Sequence, residues 1–288
     1  MNNKIVGKIQ LNSFADIVSG DDTAVTEVPL EDLHEFERHP FKVLDDEKMT
    51  ETVESIKKYG VLMPGIVRPR IAGGYEIISG HRRRRACELA GLESMPVLIK
   101  AYDDDQATII MVDSNIQRED ILPSEKAKAY SMKYEAMKHQ GCREGGYTLE
   151  TLGEKAGESR KTVQRYIWLS RLSDELLGLV DEGKIGIVCG IDLSFLDSDE
   201  QRWVYRKLEE KKITLTAEQT GRIKEYSAKK ELTYAMVDLI MTADKIKKRK
   251  FTIKTDRLDE YFDESVTEDE IGEIIFRLLD EWKAGGGK

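Results

Sequence analysis

Tyr75-Glu76-Ile77-Ile78-Ser79-Gly80-His81-Arg82-Arg83-Arg84-Arg85-Ala86 reads as a strand, a glycine turn and a helix start in immediate succession. The first turn of a helix leaves backbone N–H groups unpaired, and its positive end faces the turn, so this junction suits an anion such as phosphate. Glycine lets the backbone approach the anion closely, and guanidinium groups add charge-assisted, often bidentate, hydrogen bonds. Successive helical residues rotate by about 100°, so at most two of the four arginines can serve one phosphate group. Arg82 and Arg83 are nearest the helix start, which leaves Arg84 and Arg85 to surface or ion-pair roles. Charge alone leaves open a plain solvated basic turn.

The flanking sequence extends this junction into an α/β unit that begins at Val28. Asp45 or Asp46 caps a helix with Met49, Val53 and Ile56 on one face, and Gly60 stops it. Val61 to Arg68 and Tyr75 to Ser79 flank Gly73-Gly74 and read as two strands joined by a turn. The arginine helix closes at Gly91, and Met95 to Ile99 is a further strand. Beyond Asp105 the pattern is helical. Pro123 opens a helix with Ala127, Tyr130, Tyr134 and Met137 on one face, Gly141 to Gly146 is a loop, and helical signals run from Thr148 to about Thr242 with a break near Gly183 to Gly190.

The fold class is therefore α+β and helix-rich. Residues 1–24 form a flexible arm, 25–120 the α/β domain that carries the phosphate candidate, 121–242 a helical domain, and 243–288 a linker with a C-terminal association segment. In the last segment Lys245 to Lys250 reads as a solvated link, and Ile271, Ile274, Ile275, Leu278 and Leu279 share one helical face. With Tyr261 and Phe262, that face suits either a second copy or the chain's own body.

Composition narrows the function. The chain has 288 residues, 40% apolar and 34% charged, with a net charge of −9. That charge excludes coating of nucleic acid through many cationic contacts, but not a compact basic reading surface. Cys87, Cys142 and Cys189 are far apart and suggest neither a zinc site nor a disulfide framework. No apolar run of about 18 residues and no secretory leader is present, so a cytoplasmic protein that avoids membranes is expected.

Two more segments carry chemistry. Asp113-Ser114-Asn115-Ile116-Gln117-Arg118-Glu119-Asp120 lies where a helix ends. It reads as a helix cap and linker, or as Ser114, Asn115, Gln117 and Arg118 completing a site for a triphosphate and a divalent cation. Leu149 to Tyr166 has the layout of a helix-turn-helix, here placed at 149–167. Gly153 and Ala156 allow close approach, Gly157 supplies the turn, and Leu149, Leu152, Val163, Tyr166 and Ile167 form the shared apolar face. Ser159, Arg160, Lys161, Gln164 and Arg165 are left outward, a set able to meet phosphates and base edges of double-stranded DNA.

Three blocks in order, Arg38-His39-Pro40-Phe41-Lys42, Gly80 to Ala86 and Ser114 to Arg118, resemble the ParB-type (ParB/RepB-like) partition proteins over about Val28 to Leu172. The versions carried by Firmicute mobile elements look most similar. The resemblance implies that the N-terminal domain binds CTP with Mg2+, and that CTP and a specific DNA site close a homodimer into a sliding clamp. Carried over by position, Gly80, Arg82 and Arg83 would hold phosphates, Asn115 would assist the metal and triphosphate, and Arg118 would lie at the same edge. His81 and Ser114 stand where the family usually has glutamate, so at most a weak CTPase is implied. The family commonly stimulates a ParA-type ATPase through a basic arm, for which Lys4 or Lys8 would serve. The rivals are a helix-turn-helix transcription regulator that has lost nucleotide binding, and a nucleotide-dependent enzyme on the same fold. Cys87, well inside the arginine helix, argues against redox chemistry in the second.

Overall fold

The computed structural model describes residues 24–118, 120–139, 149–242, 261–263 and 266–285. These divide into two compact units, with the boundary between Thr242 and Ala243. The arm up to residue 23, Cys142 and the Lys245 to Lys250 link lie outside the described residues.

The first unit opens with β1 (Val25–Pro29) and the two-residue β2 (Leu33–His34). Then follow α1 (Glu47–Tyr59), β3 (Gly65–Pro69), β4 (Tyr75–Ser79), α2 (His81–Ala90), β5 (Ser94–Ile99) and α3 (Asp104–Asp113). The strands form one mixed sheet in the order β1-β5-β3-β4-β2. β1 runs antiparallel to β5 and β3 antiparallel to β4, while β3–β5 and β2–β4 are parallel.

Strand alternation assigns the two faces. Val67, Ile77 and Val97 point to one side, where Met49, Ile56, Ala86 and Cys87 of α1 and α2 cover them. Their neighbours Ile66 and Ile78 point to the other, against Ala107, Ile110 and Met111 of α3. That second cluster continues through Ala129 and Tyr130 to Leu152, Val163 and Ile167, so the sheet and the helix-turn-helix share one apolar core. Each fully buried Val, Leu, Ile or Met among them contributes about 1.5–3 kcal/mol.

The helices of the second half are α4 (Pro123–His139), α5 (Leu149–Ala156), α6 (Arg160–Leu169), α7 (Asp174–Asp181), α8 (Ile187–Leu193), α9 (Ser198–Lys211), α10 (Ala217–Ala228) and α11 (Tyr234–Thr242). Leu169, Leu176, Leu193, Val204, Ile223 and Val237 hold α6 to α11 around a separate core. The second unit contributes α12 (Glu268–Ala284), capped by Thr267 and Glu270.

Three sequence expectations need correction. The sheet begins at Val25, not Val28. The strand expected from Val61 begins at Gly65, because Leu62 and Met63 stand out in solvent and Pro64 precedes it. Gly190 is not in the break but inside α8, where a Cβ would meet Leu169 Cδ1 at 2.9 Å; the glycine permits helix contact rather than a turn.

Candidate functional site

β4 delivers the chain to Gly80, which adopts φ +121° before α2 begins at His81. The backbone angle calls for glycine, and a Cβ there would sit in a tight contact 3.2 Å from Gly65 Cα. No side chain caps the helix, and the first intrahelical bond runs from the Arg84 N–H to the Gly80 carbonyl at 2.9 Å. The preceding N–H groups are left for an external acceptor.

The junction opens into a recess of about 140 Å³. Gly80, His81, Arg82 and Arg83 form its floor, His39 and Lys42 come from the segment before α1, and Ser114, Asn115 and Arg118 from the turn after α3. Seven of the eight residues proposed from sequence thus meet in one place; Gln117 is exposed and lies outside the lining. His39 and Lys42 were missed as individuals, although the block Arg38 to Lys42 was the available signal.

The four arginines diverge. Arg82 donates to Asp46 Oδ1 at 2.9 Å, a carboxylate that also caps α1 through the Met49 N–H. Arg83 donates to the Met63 and Pro64 carbonyls at 2.6 and 2.5 Å, and burial lowers its pKa. Arg84 pairs with Glu88, and Arg85 with Asp45 and Glu88, away from the recess. Only Arg82 and Arg83 remain at its edge.

Two imidazoles close the other side, their centroids 3.8 Å apart. His81 Nε2 accepts from the Phe36 N–H at 3.4 Å, and burial, followed by the neighbouring His39 and Arg84, pushes its pKa down to about 3. His39 Nδ1 donates to the Phe41 carbonyl at 2.7 Å, its pKa is lowered by burial, and its buried Nε2 has no partner among the described residues. Both rings are neutral near pH 7, so the recess takes its positive charge from Lys42 and the arginines.

Asn115 donates its amide to the Met111 carbonyl at 2.9 Å and to Ser114 Oγ at 3.1 Å, which leaves its oxygen as a hard donor. The described residues contain no cluster of three or more His, Cys, Asp or Glu suited to a metal. A cation here would take most ligands from phosphate and water, which is the habit of magnesium. Cys87 is fully buried, and burial pushes its thiol up to about 11, so it offers no thiolate near neutrality.

The second candidate surface is α6. A Cβ on Gly153 would meet the Glu158 carbonyl at 2.2 Å, and Gly157 has φ +69°, so these two glycines set the tight approach of α5 and α6. Ser159 caps α6 by accepting from the Thr162 N–H at 3.2 Å. Ser159, Arg160, Lys161 and Arg165 are exposed and Gln164 is half-buried; Lys161 and Arg165 lie on the side opposite the buried Val163 and Ile167, with Gln164 on the flank between them. Arg160 makes a loose pair with Glu150 at 3.5 Å. Beneath the turn, Glu158 accepts from Tyr130 Oη at 2.9 Å and pairs with Lys126.

Comparison with known proteins finds matches to two family models, the ParB N-terminal domain over residues 15–116 and the ParB HTH domain over residues 119–229. The chromosome-partitioning protein Spo0J of Thermus thermophilus is 31% identical over 191 residues, 66% of this chain and 67% of that protein. The probable chromosome 1-partitioning protein ParB of Deinococcus radiodurans is 36% identical over 167 residues, 58% of this chain and 54% of that protein. The chain thus spans between about half and two thirds of the length of these relatives. Among solved structures, the C-terminally truncated ParB of Caulobacter crescentus complexed to the centromeric parS site is 24% identical, covering 71% of this chain and 99% of that one with a TM-score of 0.42. The same protein complexed with CTP-γ-S is 26% identical, covering 65% and 99%, with a TM-score of 0.31.

Proposed function

This chain belongs to the ParB family, and on that premise we propose that it binds a specific, centromere-like site on double-stranded DNA as a dimer, with CTP and magnesium as the switch that closes it into a sliding clamp. The observation that carries the reading is the recess itself. Helix-start N–H groups, Arg82, Lys42 and Arg118 converge on a space of about 140 Å³. Nucleotide-sized pockets run to roughly 300 Å³ or more, so this recess takes phosphates only. A neighbouring hollow of about 330 Å³, lined by Thr52, Ser55, Gly60, Leu62 and Met63, shares Arg83 with it and is the natural seat for the nucleoside.

Within this reading Asn115 holds magnesium through its amide oxygen, and Arg82 exchanges Asp46 for phosphate. A bound magnesium ion would neutralise phosphate charge. Among the described residues none that lines the recess is a carboxylate, and burial keeps His81 a poor base, so hydrolysis of CTP is expected to be weak at most. Arg160, Lys161, Gln164 and Arg165 on α6 read and grip the DNA. The exposed Leu278, Leu279 and Trp282 of α12 favour a second copy as the dimer partner. Lys4 or Lys8 of the arm is assigned to a ParA-type ATPase, and the cargo to a chromosome or mobile element.

Clamp closure is tested on DNA carrying a site recovered by selection from random sequence. CTP should prolong retention on closed circles and much less on open linear DNA; equal retention on both would sink the clamp. A second reading, a regulator that has kept the fold without the nucleotide, draws on one observation: Arg82 and Arg83 already have protein partners. Calorimetry with CTP, ATP and GTP separates the two.

A further inference from the structure

Glu125 lies in the first turn of α4, buried to 6% exposure, and is not part of the recess lining. Its Oε1 accepts from the Lys42 N–H at 2.7 Å and its Oε2 from the Leu122 N–H at 3.1 Å. Lys42 lines the phosphate recess, and Leu122 follows shortly after Arg118, which also lines it. One carboxylate therefore ties the two segments that carry these lining residues to the start of the same helix. A buried carboxylate is costly unless it is hydrogen-bonded, so these two bonds hold the seat of α4 in place.

The far side of the same helical stretch grips the helix-turn-helix. Lys126, the next residue, pairs with Glu158 in the turn, and its Nζ lies 5.1 Å from the centroid of the Tyr166 ring on α6. Tyr130, one turn further, donates its hydroxyl to the same Glu158 at 2.9 Å. A shift of either segment must then break the Glu125 bonds or carry α4 with it, and α4 holds the turn that sets α6.

We propose that Glu125 is a positioning residue that couples occupancy of the phosphate recess to the pose of the reading helix, an inference that rests on the nucleotide function proposed above. The coupling element is the N-terminus of α4, seated or released. Glu125→Gln keeps the shape but sets an NH2 group against one of the two backbone donors, so one bond is lost while every recess residue stays in place.

The experiment measures affinity for the selected DNA duplex with and without CTP and magnesium, together with CTP affinity itself. The wild-type chain should change its DNA affinity at least about fivefold on adding CTP. Glu125→Gln should bind CTP within about twofold of wild type while that DNA response falls to about twofold or less. A variant that keeps the full response overturns the inference. Because a buried carboxylate variant can fail to fold, a second arm uses the wild-type chain: CTP must alter hydrogen exchange at the Lys42, Leu122 and Glu158 amides together. A change at Lys42 alone overturns the coupling. A wild-type chain that binds CTP without any DNA response overturns this inference alone, whereas one that binds no CTP overturns the nucleotide reading and the inference with it.

Discussion

Gly80 concentrates the physics of the site in one residue. Its φ of +121° lies where an L side chain is strained, and a Cβ would press on Gly65 Cα at 3.2 Å. Gly80→Ala should cost on the order of 1–3 kcal/mol in chemical denaturation and remove nucleotide binding. His81 gives a pH signature. An unfolded histidine takes up its proton near 6.5, but the folded His81 resists it until about 3, so the unfolded state binds more protons in between. The stabilising effect of the buried neutral ring is complete above that window and is lost as pH falls through it, by up to about 1.4 kcal/mol per pH unit. Urea midpoints at about pH 7 and about pH 5 should therefore fall further apart for wild type than for His81→Gln. At this scale the sequence was legible where backbone geometry forces residue type, as in Gly80 with Arg82 and Arg83. His39 and Lys42 were signalled only through the block Arg38 to Lys42, and Glu125 was not legible, because its bond to the Lys42 N–H reaches across 83 residues.

Among the elements, α5 and α6 were the most readable, since glycines at the turn and an apolar face at helical spacing specify the pair locally. Gly153→Ala would drive a methyl group into the Glu158 carbonyl, 2.2 Å away, and should abolish DNA binding while far-ultraviolet circular dichroism changes little. On α6, Gln164→Ala should lose about 1–3 kcal/mol at one base position and relax specificity there, whereas Lys161→Ala should weaken all sequences alike and reduce the salt slope by about one. Binding titrations across salt concentrations separate these outcomes. β3 shows the opposite case. Val61, Leu62 and Met63 read as strand because they are apolar, yet Leu62 and Met63 are exposed at the rim of the hollow of about 330 Å³, with the Met63 carbonyl held by Arg83. Periodicity cannot distinguish an apolar strand from an apolar rim. The two-residue β2 was too short to leave a pattern at all.

For the whole molecule, a net charge of −9 confines DNA contact to a local cationic face, and the ParB N-terminal and HTH matches fall in that order along the chain. The α/β-then-helical order was legible because the period of the apolar pattern switches after β5. The shared core that joins Ile66 and Ile78 to Val163 and Ile167 was not, since no local pattern announces that distant faces will meet. If α12 forms the proposed dimer contact, sedimentation should report a dimer for the full chain and a monomer once the residues after Thr242 are removed. The proposed function rests on the recess at Gly80, and calorimetric titration of the full chain with CTP and magnesium tests it. Saturable binding of one CTP per chain, lost in Gly80→Ala and weakened at least about tenfold, or about 1.4 kcal/mol, in Arg82→Ala, is the predicted result. Absence of binding by any nucleoside triphosphate, or CTP binding unchanged in both variants, would contradict it.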